Sequence, residues 1–330
     1  MSDDPQQLSF FDAESDDEEP EDSGPIVLSG HSSLELAVGV YLDHLADDGL
    51  SIHTIRAFRS DLNLLGKWGG RSRPVAQFST TDLNAFLYWL LHERGKPCSP
   101  KSYARRVTTL KNFFRWLEDQ QAIDRDPAAA LIQESVSSPL PNVLLDPDID
   151  RLLRVTERLR QEEEDARPHL LITLLLATGI KKAECMSLTV GDVDRRDPER
   201  PAIWVRYDDE KMRYKERRIR VDEEWPTVLE EYISQRETEE IIFDCTARNL
   251  EYVLRDTAKL AGVPRSLVSF ETLRWSCALR DHVAGMHEER LRQKLGLSRI
   301  SWRETSRKLQ QLAVKHGYAD EDDDEVNHSA

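Results

Sequence analysis

Cysteine is scarce in this chain of 330 residues. Cys98, Cys185, Cys245 and Cys277 are widely scattered, with no Cys-x-x-C pair. That argues against a zinc ribbon and a disulfide framework and fits a reducing cytosol. No metal or cofactor is expected. Long apolar runs are missing too: the most apolar stretch, Leu170 to Leu176, is far too short to cross a bilayer. The acidic N-terminus has no apolar core region, so no signal peptide is expected. Basic residues are absent from both ends. Residues 1–30 hold ten acids and residues 319–330 hold six, with no Lys or Arg in either. These sixteen acids account for the whole formal charge of −16, leaving 45 acids against 45 bases in 31–318. A neutral core can carry a basic face, so the bulk charge does not exclude a nucleic-acid partner. Lysine is itself sparse, 12 against 33 arginines, which with the acidity fits a salt-adapted (halophilic) or a GC-rich source.

What is present reads as two domains, since about 290 core residues bury two real cores. The expected organisation is an acidic disordered tail (1–30), a helical domain (31–133), a linker (134–147), a second domain (148–318) and an acidic disordered tail (319–330). Leu34, Val38, Tyr41, Leu42 and Leu45 share a helical face, as do Ile55, Phe58, Leu62 and Leu65. Leu83, Phe86, Leu87, Leu90 and Leu91 follow a Ser79-Thr80 cap signal. Tyr103, Val107, Leu110, Phe114 and Leu117 follow Ser99 as N-cap and Pro100 at the first helical position. Three prolines and three serines in 134–147 read as a linker. A helix apolar nearly all round, from about 168 to 178, should be the central helix of the second domain. Strands over 203–207 and 217–221 bracket a charged turn and read as a two-stranded ribbon with a basic tip. Helices are expected over 225–236, 246–261, 270–285, 287–295 and 301–316.

Four sequence blocks then become specific. Thr178-Gly179-Ile180-Lys181-Lys182-Ala183-Glu184 leads on to Leu188 and Asp192. Lys211-Met212-Arg213-Tyr214-Lys215-Glu216-Arg217 precedes an alternating strand. Glu271-Thr272-Leu273-Arg274 and Leu295-Gly296-Leu297-Ser298-Arg299-Ile300 follow. In this order and spacing they resemble the motifs of the tyrosine recombinase (phage integrase, Xer-like) family. The resemblance covers roughly residues 32–312 and implies a mainly α fold. It would have an N-terminal four-helix SAM-like core-binding bundle and a C-terminal α+β catalytic-like domain with a small β-hairpin or sheet. It also implies a cytoplasmic, nucleoid-associated protein with double-stranded DNA as partner, and itself as an oligomer on DNA.

Departures from the pattern bear on activity. The family's first arginine is Lys181 here, its first histidine Glu271, and its second histidine Leu297. Its cleaving tyrosine falls on Ser306; no tyrosine occurs between residues 253 and 317, and the next is Tyr318. Arg274 and Lys211 keep their type. Phosphoryl transfer needs a positioned nucleophile and charge on the non-bridging oxygens. Lys181 keeps charge without the planar fork, Leu297 neither donates nor accepts a proton, and Ser306 lacks a base at a motif position. An ionised Glu271 beside a phosphate would repel it by roughly 4 kcal/mol at ~4 Å and an effective dielectric of ~20.

These residues lead to a DNA-binding regulator or accessory factor without strand cleavage. The alternatives are a working recombinase using Tyr318 or Ser306, and a clamp-docking adaptor. In the last, Gln7, Leu8, Phe10 and Phe11 resemble the short peptide with which replication proteins dock on a sliding clamp. The resemblance places Arg105, Arg106, Lys111 and Arg115 toward the major groove. It places Lys181, Lys182, Lys211, Arg213, Lys215, Arg217, Arg274 and Arg299 toward DNA phosphates.

Overall fold

A computed structural model describes residues 26–96, 98–132, 139–236 and 240–318. The chain divides into two compact units, 1–138 and 139–330. The peptide Gln7–Phe11 and the tail 319–330 lie outside the described residues.

The first unit is a bundle of four helices: α1 (Leu34–Asp47), α2 (Ile52–Gly69), α3 (Thr80–His92) and α4 (Pro100–Asp119). Each has a serine N-cap whose hydroxyl accepts a backbone N–H of the first turn, which is why each starts where it does. At α3 the cap is reciprocal: Ser79 Oγ accepts the Asp82 N–H at 3.1 Å and Asp82 Oδ2 accepts the Ser79 N–H at 2.9 Å. The stripes read from the sequence are buried, except that Tyr103 of α4 is only half-buried, and with two further differences. Leu91 is 45 % exposed, rotated past the packing surface in the last turn of α3. On α4, Phe113 and Trp116 are buried as well as the expected stripe. They meet Tyr41 of α1, at ring-centroid distances of 5.3 and 5.0 Å, so α4 buries more than one stripe.

The second unit is organised on one helix. After α5 (Asp146–Glu162), α6 (Arg167–Thr178) is buried nearly all round because α5 and three later helices, α8 (Trp225–Arg236), α9 (Ala247–Leu260) and α10 (Phe270–Val283), all pack on it. Trp225, at the start of α8 (Trp225–Arg236), donates its indole N–H to the Leu170 carbonyl at 3.1 Å. The short α7 (Lys182–Met186) follows the left-handed Gly179 that ends α6. The sheet has three antiparallel strands, not two: β1 (Val193–Asp194), β2 (Ala202–Val205) and β3 (Arg217–Arg220), in that order. Ile203 pairs with Val193 on one side and Ile219 on the other. β1, at two residues, is too short to leave a periodic signal. The charged turn between β2 and β3 is a 3-10 segment, Glu210–Lys215. Helices α9 (Ala247–Leu260), α10 (Phe270–Val283), α11 (Glu288–Lys294) and α12 (Arg299–Lys315) complete the chain. A separate apolar cluster joins α10, α11 and α12 through Leu279, Leu291, Trp302, Leu309 and Leu312. No helix among the described residues is long and apolar enough to cross a membrane.

Candidate nucleic-acid site

The end of α6, the start of α7, β3 and the start of α10 converge on one buried charge network. Strand alternation sets it up. Arg217 lies on the same face as Ile219 and Val221, so its guanidinium enters the core and is 9 % exposed. A buried cation needs a partner, and Glu184 of α7, 3 % exposed, supplies it. Arg217 donates to both Glu184 oxygens, at 3.2 and 2.8 Å, and to the carbonyls of Lys294 (2.7 Å) and Lys215 (3.1 Å). The Tyr207 hydroxyl donates to Glu184 Oε1, and the Lys181 N–H to Oε2 at 2.8 Å. Burial alone would raise the Glu184 pKa; the Arg217 bonds and charge overcome it and hold the carboxyl at about 2. Burial and the bond to Glu184 push Tyr207 up to about 12.

Lys181 stands at the rim of this network, half-buried, with Nζ 3.8 Å from Glu184 Oε1. Burial lowers its pKa, Glu184 pulls it back up, and Arg274, Lys215 and Arg217 add like-charge repulsion. Arg274, three residues after Glu271 on α10, is half-buried. It donates to the Gly179 carbonyl and, at 2.6 Å, to the Leu295 carbonyl. It therefore ties the turn after α6 to the turn after α11, and each terminal nitrogen keeps a second N–H. Burial lowers its pKa, with Glu184 opposing and Arg217 adding to the shift.

The remaining sequence-derived positions fall around this cluster unevenly. Lys215, not Lys211, is the hairpin lysine that acts electrostatically on Lys181; Lys211 is exposed at the start of the 3-10 segment. Glu271 is exposed in the first turn of α10, where a carboxylate suits the helix dipole. Leu297 packs against the α10–α12 cluster. Ser306 is half-buried on α12, one turn after Trp302 and one before Leu309, so it shares their inward face. Tyr318, 44 % exposed, lines a separate cleft whose walls include Asp146, Asp150, Asp222 and Asp281.

The expected DNA-contacting cations divide by their partners. Arg105 grips Asp61 of α2 with two bonds, at 2.9 and 2.8 Å, and the largely buried Arg106 lies 3.4 Å from the same carboxylate. Arg217 is likewise turned inward, which does not fit the expectation of a phosphate contact. Lys182 pairs with Glu251 at 2.9 Å and Arg213 with Glu210 at 3.4 Å, both at the surface. Lys111, Arg115, Lys211, Lys215 and Arg299 form no ion pair among the described residues. Sequence reasoning quoted Glu184 in its motif without a role and passed over Asp61, the two buried carboxylates that arrange these cations.

The matches to known families follow the same two units. Residues 38–121 match the phage integrase N-terminal SAM-like domain, and residues 142–304 match the phage integrase family. The chain belongs to the tyrosine recombinase family. Tyrosine recombinase XerC of Roseiflexus castenholzii is 34% identical over 160 residues, 48% of this chain and 50% of that protein. The chain thus spans about half the length of several curated relatives it matches. Tyrosine recombinase XerD of Proteus mirabilis is 26% identical over 259 residues, 74% of this chain and 79% of the relative. Among solved structures, the XerH site-specific recombinase bound to a palindromic difH substrate superposes with a TM-score of 0.71. It is 14% identical and covers 88% of this chain and 99% of its own. A lambda integrase dimer bound to a core site has a TM-score of 0.65 at 16% identity, over 84% of this chain and 77% of its own. At these identities the likeness establishes the fold.

Proposed function

We propose that this protein binds double-stranded DNA on the recombinase fold and does not cut it, acting as a regulator or accessory factor. The observation that carries the reading is a cluster of cations with no nucleophile at the motif position. Lys181 and Arg274 feel one buried carboxylate, Glu184, and Lys215 acts on Lys181, while Ser306 and Leu297 stand where the family's chemistry needs a tyrosine and a proton donor. Such a cluster attracts a phosphate electrostatically but has no means to attack it. Tyr318 does not repair this, because the four acids and one arginine of its cleft leave a net negative wall toward a phosphodiester.

DNA affinity then rests on unpaired and switchable cations. Exposed pairs such as Lys182–Glu251 contribute about 0–1 kcal/mol, so exchange to a phosphate costs little. Breaking a buried pair such as Arg217–Glu184 costs several times more. Five unpaired cations give a slope of log affinity against log salt of about −4.5. That corresponds to roughly 500-fold weaker binding at ~200 mM than at ~50 mM salt. Fluorescence anisotropy on a duplex tests this, and a salt-independent affinity refutes it. A nicked suicide duplex tests the missing chemistry: no covalent adduct is expected. An adduct abolished by Tyr318→Phe or Ser306→Ala establishes the working enzyme instead.

A further inference from the structure

A groove of about 690 Å3 runs between β3 and α11 in the second unit. Seven cations line it, and four are neutralised from outside. Arg217 is held by Glu184, Arg218 by Asp194 at 2.9 Å, Arg292 by Glu289 at 2.6 Å and Lys294 by Asp281 at 2.5 Å. The other three, Lys215, Arg220 and Arg290, form no ion pair among the described residues. Glu216 is the single acid on the wall, and its Oε1 accepts the Tyr207 N–H at 3.1 Å. The groove's uncompensated positive charge therefore rests on three side chains, offset in part by Glu216.

The chain carries a polyanion of its own. Residues 320–325 are six consecutive acids, and 319–330 contain no Lys or Arg. They follow directly on Tyr318, which lines the acidic cleft together with Asp281. Asp281 is the partner of Lys294, so a single ion pair separates that cleft from the basic groove. Twelve residues reach up to ~40 Å. The cleft keeps a net acidic wall, with Asp150 and Asp222 beside an Asp146 that faces Arg280 at 3.9 Å, and repels them, whereas the groove attracts them. Tethering raises the effective concentration to the millimolar range, so contacts too weak between separate molecules are populated within one chain.

We propose that residues 319–330 occupy this groove as an internal polyanion and compete there with DNA phosphates for Lys215, Arg220 and Arg290. The competition rests on the DNA-binding reading; the docking does not. Zero-length carbodiimide crosslinking of the full chain tests the docking. In the monomer band, Lys215 should link to an acid of 320–325. The link should be lost at ~0.5 M salt, where charges are screened within a few ångströms, and in the Arg220→Gln/Arg290→Gln variant. Absence of any Lys215–tail link at low salt overturns the proposal.

Duplex binding at ~50 mM salt tests the competition in a double-mutant cycle. Converting the six acids to their amides should tighten binding about 3- to 10-fold in the native groove, an effect comparable to a few screened surface pairs. The gain should vanish in the Arg220→Gln/Arg290→Gln background. An equal gain in both backgrounds shows global charge repulsion and overturns competition at the groove. If no variant binds duplex while the crosslink forms, the DNA-binding reading fails and the docking stands.

Discussion

Replacing Glu184 by Gln is the sharpest perturbation of the network under the site. The change keeps the shape of the side chain and removes one buried charge. Arg217 then keeps the Lys294 and Lys215 carbonyls at 2.7 and 3.1 Å but loses a carboxylate that accepted two of its donors. Lys181 loses an opposite charge at 3.8 Å, and Tyr207 loses an ionised acceptor. Removing one partner of a buried ion pair costs about 3–5 kcal/mol, because the other charge stays buried without compensation. The amide oxygen of Gln still accepts one bond, so the lower end, about 3 kcal/mol, is expected. With a urea m-value of ~2 kcal/mol/M, the unfolding midpoint of the second unit should fall by about 1.5 M. Tryptophan fluorescence from Trp204, Trp225, Trp275 and Trp302 should follow it, with hydrogen exchange of β3 showing which segment opens. An apolar pair at both positions, Glu184→Leu with Arg217→Met, should recover much of the loss. A midpoint shift below about 0.3 M for Glu184→Gln would falsify the claim that this carboxylate holds the site together.

Three further expectations are checkable. Because Glu184 is depressed to about 2 in the folded chain, its contribution is complete above the unfolded value near 4.3 and is lost as pH falls toward 2. Circular dichroism should show the second unit losing structure in that acid window, and the Glu184→Gln variant should lack that component. Gly296 has φ +59, and a Cβ there lies 2.6 Å from Arg217 Nη1, so Gly296→Ala should lower the melting temperature through both strain and the displaced guanidinium. On DNA, Lys111→Gln should reduce the salt slope by about one unit with stability unchanged. Arg106→Gln should lower stability first, because its partner Asp61 is buried, and equal slope changes for both would contradict that division.

The helices were legible because their signals are local: a serine cap, then apolar residues at three- and four-residue spacing. The second face of α4 was not, since Phe113 and Trp116 are buried by Tyr41 of a helix far earlier in the chain. β1 was missed because two residues make no pattern. The inward direction of Arg217 was readable in principle. It alternates with Ile219 and Val221, and a charged residue on the apolar face of a strand calls for a buried partner. What no local pattern revealed was the identity of that partner.

The same limit explains why counting basic residues along the sequence overstates the DNA-facing charge. The partners that neutralise these cations are distant in sequence: Asp61 is 44 residues from Arg105, Glu184 is 33 from Arg217 and Glu251 is 69 from Lys182. The fold decides which of them is exchangeable. At the surface, Lys182 would give up Glu251 for an anion at small cost, because water and salt already weaken the pair. In the core, Arg217 cannot leave Glu184 without stranding two buried charges. A basic motif residue on this fold therefore has two possible duties, and its burial together with that of its partner decides between them. By that criterion Arg217 and Arg106 belong to the framework, and Lys181, half-buried beside the buried Glu184, leans toward it, whereas on the proposed reading Lys215 would meet the ligand and Arg274 would serve both. The Arg274 bonds to the Gly179 and Leu295 carbonyls fix the two turns, and on the proposed reading its remaining donors would serve a phosphate.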